Sequence, residues 1–196
     1  RRRFRTKLIA MGMCGYDRVI VEPSGIYDVD EFFDVLRDDP IDRWYEIGNV
    51  ITVVDAKLEE KLSDEADYLL ASEAANAGCI VLSRSQEAED AEIENTVAHL
   101  NHAMEKVQCK RRFQNDIIIK DWETFDNTDY EKLLSCGYVS ENYRKMHIEE
   151  GEIFKSLYFM NLDKTKEEIT EAAEKVLEDR ECGNVFRVKG FLKDKE

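Results

Sequence analysis

Four short apolar runs stand out along the chain: Val19-Ile20-Val21, the stretch from Val50 to Val54, the stretch from Cys79 to Leu82, and Ile117-Ile118-Ile119. Each is short for a helix, and most are rich in β-branched side chains. Each therefore predicts a strand buried on both faces of a sheet. The first spans residues 17–21, and the second (NVITVV) has the composition of a central parallel strand. Between the runs, apolar positions recur at helical spacing. Residues 5–13 predict the end of a helix closed by Gly15. Val29, Phe32, Phe33 and Leu36 predict a helix over 29–36, with Asp28 as its N-cap. Residues 63–76 predict a helix opening on a Ser-Asp-Glu cap, and residues 88–107 a long amphipathic helix. Residues 116–119 complete the fourth strand.

This rhythm of strand and helix predicts βαβ units, hence a parallel sheet with helices on both faces. The pattern changes after residue 121. Residues 122–151 are polar and irregular, with one helix near 130–136. Residues 153–160 and 185–191 then read as strands flanking a helix over 166–177. That helix carries a capping box, Thr165 with Glu168 three residues on. The expected organisation is an α/β domain over 1–120, a connecting segment over 121–149, and a small α+β domain over 150–196.

Composition narrows the function classes. The 196 residues carry a formal net charge of −15. Such a chain is a poor partner for nucleic acid, whose phosphates call for clustered Lys and Arg. Beyond the N-terminus the one basic cluster is Lys110-Arg111-Arg112. No apolar run has the length of a membrane span, so no membrane partner is expected. The basic start RRRFRTKLIAMG has too short an apolar part for a secretory leader. The five cysteines are scattered and form no CxxC pair. They predict neither a disulfide framework nor a zinc knuckle, and they fit a reducing, cytoplasmic setting.

Few residues offer chemistry by type and spacing. Glu22 follows the first apolar run directly and precedes Pro23, Ser24 and Gly25. A carboxylate at a strand's carboxyl end sits where open parallel sheets bind ligands. It is equally the first polar residue of a turn set by Pro23. His99, His102 and Cys109 lie three and ten residues apart on the long helix, on one face, with no fourth ligand in view. His147 stands in an acidic stretch and reads as a surface residue. Paired acids such as Asp38-Asp39 arise by chance in a chain this acidic. No Ser-His-Asp or Cys-His arrangement appears. Arg187 and Lys189 alternate with Phe186 and Val188, as on a half-exposed strand.

Taken in order, VIVEPSG (19–25), VITVVDA (50–56), SEAANAGCIVLSRSQ (72–86) and NVFRVKGFL (184–192) resemble the CobW family of P-loop GTPases. That family comprises metal chaperones or metal-insertion proteins related to cobalamin synthesis. The resemblance covers most of the chain outside 95–150. It implies that Glu22 is the acid facing Mg²⁺, and that Gly25 is the switch glycine beside the γ-phosphate. It places Ser83, Arg84 and Gln86 against the nucleotide base, where the family carries Asn-Lys-x-Asp. It implies GTP and Mg²⁺ as cofactors, a transition metal such as Zn²⁺ or Co²⁺ as cargo, and a metal-receiving client protein as partner. The closing domain resembles a regulatory or partner-docking module.

Two departures matter. Gln86 has a donor and an acceptor, so it lacks the paired acceptors that guanine's N1–H and N2–H call for; an ATP-using relative stays open. No GxxxxGK followed by Ser or Thr occurs, and no Cys-x-Cys-Cys. The expectation is a C-terminal fragment without its Walker A region, inactive alone. The first strand would then have an uncovered apolar edge, to be covered by a missing N-terminal segment or a second copy. The alternative is a non-catalytic protein-interaction module on a degenerate GTPase-like fold.

Overall fold

The computed structural model describes residues 2–25, 27, 29–114, 116–146, 157, 159–160, 162–183, 185 and 188–190. The chain divides into two compact units, Arg1–Phe154 and Lys155–Glu196.

The first unit opens with helices α1 (Arg2–Met13), α2 (Val29–Leu36) and the short α3 (Ile41–Trp44). Leu8, Val35 and Ile41 bury a small core between them, joined by Phe4, Val19 and Tyr45. The Tyr45 hydroxyl donates to the Leu8 carbonyl at 2.7 Å and ties α1 to the end of α3. Next come β1 (Ile51–Asp55), α4 (Asp64–Ala75), β2 (Cys79–Ser83), α5 (Asp90–Lys106), β3 (Ile117–Ile118) and α6 (Asn127–Ser135). The strands are parallel in the order β1-β2-β3, with Ile51 beside Cys79 and Ile80 beside Ile117. The molecule is thus an α/β protein with a parallel sheet and flanking helices.

Strand order follows chain order, and right-handed crossovers then put α4 and α5 on the same face. The main core fits this arrangement. Val54, Ile80 and Leu82 from the sheet meet Tyr68, Ala71, Ala74 and Ala75 of α4 and Leu100, Ala103 and Met104 of α5. Alanines on α4 let the helix lie close to the strands. Ser63 caps α4 by accepting from Ala66 N–H at 3.2 Å, as its sequence predicts. At the other end of α4, the Arg111 guanidinium donates to the Ala74, Ala75 and Ala77 carbonyls and lies 4.6 Å from the Phe113 ring centroid. A cation there complements the helix dipole. Arg112 pairs with Glu105 at 3.1 Å. Arg111 and Arg112 of the basic cluster are therefore engaged within the fold, while Lys110 is exposed.

Three expectations are corrected. Residues 17–21 do not form a strand: Ile20 stands 89% exposed, and only Val19 joins a core, the helical one. An apolar run becomes a strand only through a ladder with a neighbour, and no such ladder forms here. β1 is an edge strand among the described residues, with Ile51 42% and Val53 64% exposed. Its β-branched composition suits burial on two faces, yet only the Thr52–Val54 face is covered. Helices on both faces of the sheet were likewise expected, whereas the main core gathers on one.

In the second unit, α7 (Lys166–Glu178) has the predicted capping box: Thr165 Oγ accepts from Glu168 N–H, and the Glu168 carboxylate accepts from Thr165 N–H. The expected strands over 153–160 and 185–191 fall mostly outside the described residues. Where they are described, at Leu157, Phe159, Met160, Val185 and 188–190, no strand is present. Asp28 and His147 also lie outside the described residues.

Candidate functional site

The carboxyl ends of β1 and β2 and the segment after β3 surround a cleft of about 420 Å³. Its apolar lining comes from Val53 and Val81, on the sheet face opposite the main core, from Leu82 near the end of β2, and from Trp122 and Phe125. Ser83, Arg84, Gln86, Glu87 and Lys120 supply the polar lining. This is the rim where open parallel sheets take ligands. The size is that of an ordinary small-molecule site.

Local chemistry sets each wall. Ser83 ends β2, and its hydroxyl donates to the Val54 carbonyl at 3.3 Å, joining two strand ends. Arg84 then turns the chain with φ 56°, in the left-handed region. A non-glycine residue there is uncommon and marks a turn under constraint. Arg84 is held in place by the carboxylate of Asp55, at the end of β1, through Nε at 3.2 Å and through Nη2. That hydrogen bond, with the Asp55 charge, raises the guanidinium pKa above its ordinary value. A 3₁₀ turn, Ser85–Glu87, follows and leaves the Gln86 side chain exposed.

The opposite wall is a second 3₁₀ turn, Trp122–Thr124. Asp121 caps it, accepting from Glu123 N–H at 3.0 Å, while Thr124 Oγ1 donates to the Asp121 carbonyl at 2.7 Å. Just before it, the Lys120 ammonium lies 3.4 Å from Asp126 and also binds Asp129, the two acids of the α6 capping box. The lysine side chain thereby anchors the turn to the start of α6. Trp122 remains 65% exposed at the cleft.

Ser83, Arg84 and Gln86 are thus brought together at one cleft. Glu22 and Gly25 are not part of it; both are exposed, in a stretch without strand structure. Sequence reading missed Asp55, Lys120, Trp122 and Phe125. The available signal was position: Lys120 and Trp122 closely follow the Ile117–Ile119 run, just as Arg84 follows the Cys79–Leu82 run.

The three candidate metal ligands do not converge: His99 and His102 lie on α5, but the helix ends at Lys106, and Cys109 follows it beyond the turn at Gln108. His99 Nε2 lies 2.7 Å from Asp67 Oδ1, His102 is exposed, and Cys109 is buried. Among the described residues no group of three His, Cys, Asp or Glu is placed to hold a metal ion. Asp67 instead locks α4 to α5, because its other oxygen accepts from Lys106 Nζ at 2.6 Å. Burial pushes its carboxyl up, but the hydrogen bonds from Lys106 and His99 outweigh that and hold it below its ordinary 3.8. An acid with a depressed folded pKa stabilises the fold above its unfolded value and loses that contribution as pH falls. Asp67→Ala is expected to cost about 2 kcal/mol at pH 7, from the loss of two charge-assisted bonds at a buried site. In urea titrations that difference from the parent protein should shrink below pH 3.8; a difference that grows there would refute the assignment.

Among the described residues no helix is long and apolar enough to cross a membrane. No curated protein and no solved structure matches the chain. A family model does match: that of the CobW/HypB/UreG nucleotide-binding domain, over residues 4–114. The match takes in α1 through α5 with β1 and β2, and it includes Glu22, Gly25, Ser83, Arg84 and Gln86. It covers more than half of the 196 residues, and the chain belongs to the CobW/HypB/UreG nucleotide-binding domain family.

Proposed function

We propose that the chain is part of a nucleotide-dependent metal chaperone or metal-insertion protein, with GTP and Mg²⁺ as its nucleotide and cation. The observation that carries this reading is the cleft at the sheet's carboxyl rim, which gathers Ser83, Arg84 and Gln86 in a chain of this family. Ser83, Arg84 and Gln86 meet the base. Glu22 holds the Mg²⁺ side through water, and Gly25 lets the following backbone approach or leave the terminal phosphate. The cleft fits a base, and the exposed Glu22 carboxylate is available to a hydrated cation. The phosphates are another matter. No glycine-rich loop with a lysine is present to cradle them. The chain alone therefore binds nucleotide weakly and does not turn it over. The cargo, Zn²⁺ or Co²⁺, passes to a client protein in the cytoplasm, and the described residues offer it no cluster of ligands.

A second reading is a protein-interaction module without catalysis. The edge position of β1 favours it, since the unpaired backbone of an edge strand is a template for a partner's strand, and the exposed Ile51 side chain offers apolar surface beside it.

Titration with labelled GTP, with and without Mg²⁺, while following phosphate release, separates the two. The first reading expects saturable binding strengthened by Mg²⁺, no phosphate release, and loss of the Mg²⁺ effect in Glu22→Gln. No saturable nucleotide binding would favour the module.

A further inference from the structure

The cleft's aromatic wall lies beyond the family match, which ends at residue 114. Trp122 is the largest side chain lining it, and the greater part of its surface is exposed. Its turn is nonetheless held, by the Asp121 cap on Glu123 N–H and by the preceding Lys120 bound to Asp126 and Asp129. What sets Trp122 apart from other exposed apolar side chains is that it lines the cleft at the sheet's carboxyl rim, where a ligand can cover it. The opposing rim limits what that ligand is. The Arg84 guanidinium is engaged by Asp55, so it is not available as a free fork for an anion. The lining from the sheet is apolar at Val53, Val81 and Leu82, and the Ser83 hydroxyl beside them is already bound to the Val54 carbonyl. The remaining cleft takes a flat, mainly apolar group with a polar edge directed toward Gln86. A purine base has that form.

We propose that Trp122 is the stacking platform for the purine base of the bound nucleotide, and that this contact does not depend on which purine is present. The proposal rests on the reading that this cleft takes nucleotide. Stacking on an aromatic ring uses the base's π-face, which guanine and adenine share. Gln86, with one donor group and one acceptor, offers no paired acceptors for guanine. Base affinity in this cleft therefore comes from the indole, and its loss weakens both purine nucleosides alike.

The test uses the full 196-residue chain, with guanosine and adenosine in separate arms, so that phosphate binding plays no part. Saturation-transfer NMR measures the affinity of each nucleoside for the parent protein, Trp122→Ala and Trp122→Phe, with circular dichroism confirming the fold of each variant. In parallel, Trp122 fluorescence is followed in a Trp44→Phe background, where Trp122 is the sole tryptophan. The expected results are saturable quenching by both nucleosides, about tenfold weaker binding of each in Trp122→Ala, and most of the affinity retained in Trp122→Phe. Nucleoside binding that Trp122→Ala leaves unchanged overturns the proposal while the nucleotide reading stands. A loss confined to one nucleoside overturns it too. If neither nucleoside binds the parent protein, both the proposal and the nucleotide reading of the cleft fail.

Discussion

Replacing Gly78 with alanine is expected to destabilise the first unit by about 3 kcal/mol, the scale of a clash in a packed site that cannot relax. A Cβ on Gly78 would stand 2.3 Å from the carbonyl oxygens of both Cys136 and Gly137 and 2.7 Å from the Cys136 carbonyl carbon. These are backbone atoms, so no rotamer change relieves the contact. Nor can the segment retreat easily. Gly137 O accepts from Val50 N–H at 2.9 Å, and Gly137 N–H donates to Asn49 Oδ1 at 2.9 Å. Val139 N–H donates to the Asn76 carbonyl at 3.1 Å. These bonds lay the chain after α6 across the amino ends of β1 and β2, so moving it breaks several of them. Gly12 is the control. There an added Cβ meets Trp44 Cε3 at 2.8 Å, but that indole is 48% exposed and free to shift. Gly12→Ala should cost less than about 1 kcal/mol. Urea midpoints with unchanged slopes would measure both. Equal effects at the two sites would contradict this account of the packing.

Glu73→Gln is expected to stabilise the protein at pH 8 by up to about 3 kcal/mol and to change little at pH 4. Burial on α4 pushes the Glu73 carboxyl up from 4.5 to about 7. A raised folded pKa means that the folded state holds its proton more tightly than the unfolded chain does. The stability linked to that proton is fully present below 4.5 and is lost as pH rises through about 7. Above that, the fold carries a partly buried carboxylate that glutamine replaces without charge. The figure is an upper bound because the side chain keeps some contact with solvent. Stability measured at intervals from pH 4 to 8 should show the two proteins diverging between 4.5 and 7. A constant offset across that range would show that ionisation of Glu73 is not what separates them.

Glu73 and Asp67 sit on the same helix and shift in opposite directions. Asp67 has a lysine and a histidine within hydrogen-bond reach, whereas burial alone acts on Glu73. Nothing in the string DEADYLLASEAA distinguishes the two acids, because their partners come from α5, some 30 residues away.

The chain's own pattern determined the local elements and the class of fold. The helices over α4, α5 and α7 follow from apolar spacing and their opening caps, and β1 and β2 from β-branched or wholly apolar runs. Such signals depend on neighbours within a few residues, which the sequence carries directly. The order of the runs was enough to indicate a parallel α/β sheet, and the motifs at their ends carried the resemblance to the family. Only the tertiary structure decided which run stays out of the sheet, which strand stands at the edge, and which residues line the cleft. Val19-Ile20-Val21 and Ile117-Ile118 have similar composition, yet only the latter pairs with a neighbour. Composition records how well a run tolerates burial, whereas pairing depends on a partner backbone distant in sequence. Trp122 and Arg84 are 38 positions apart in the chain and face one cleft because two parallel strands end at the same rim. Placement of that kind is set by long-range closure of the sheet, which leaves no trace in local spacing.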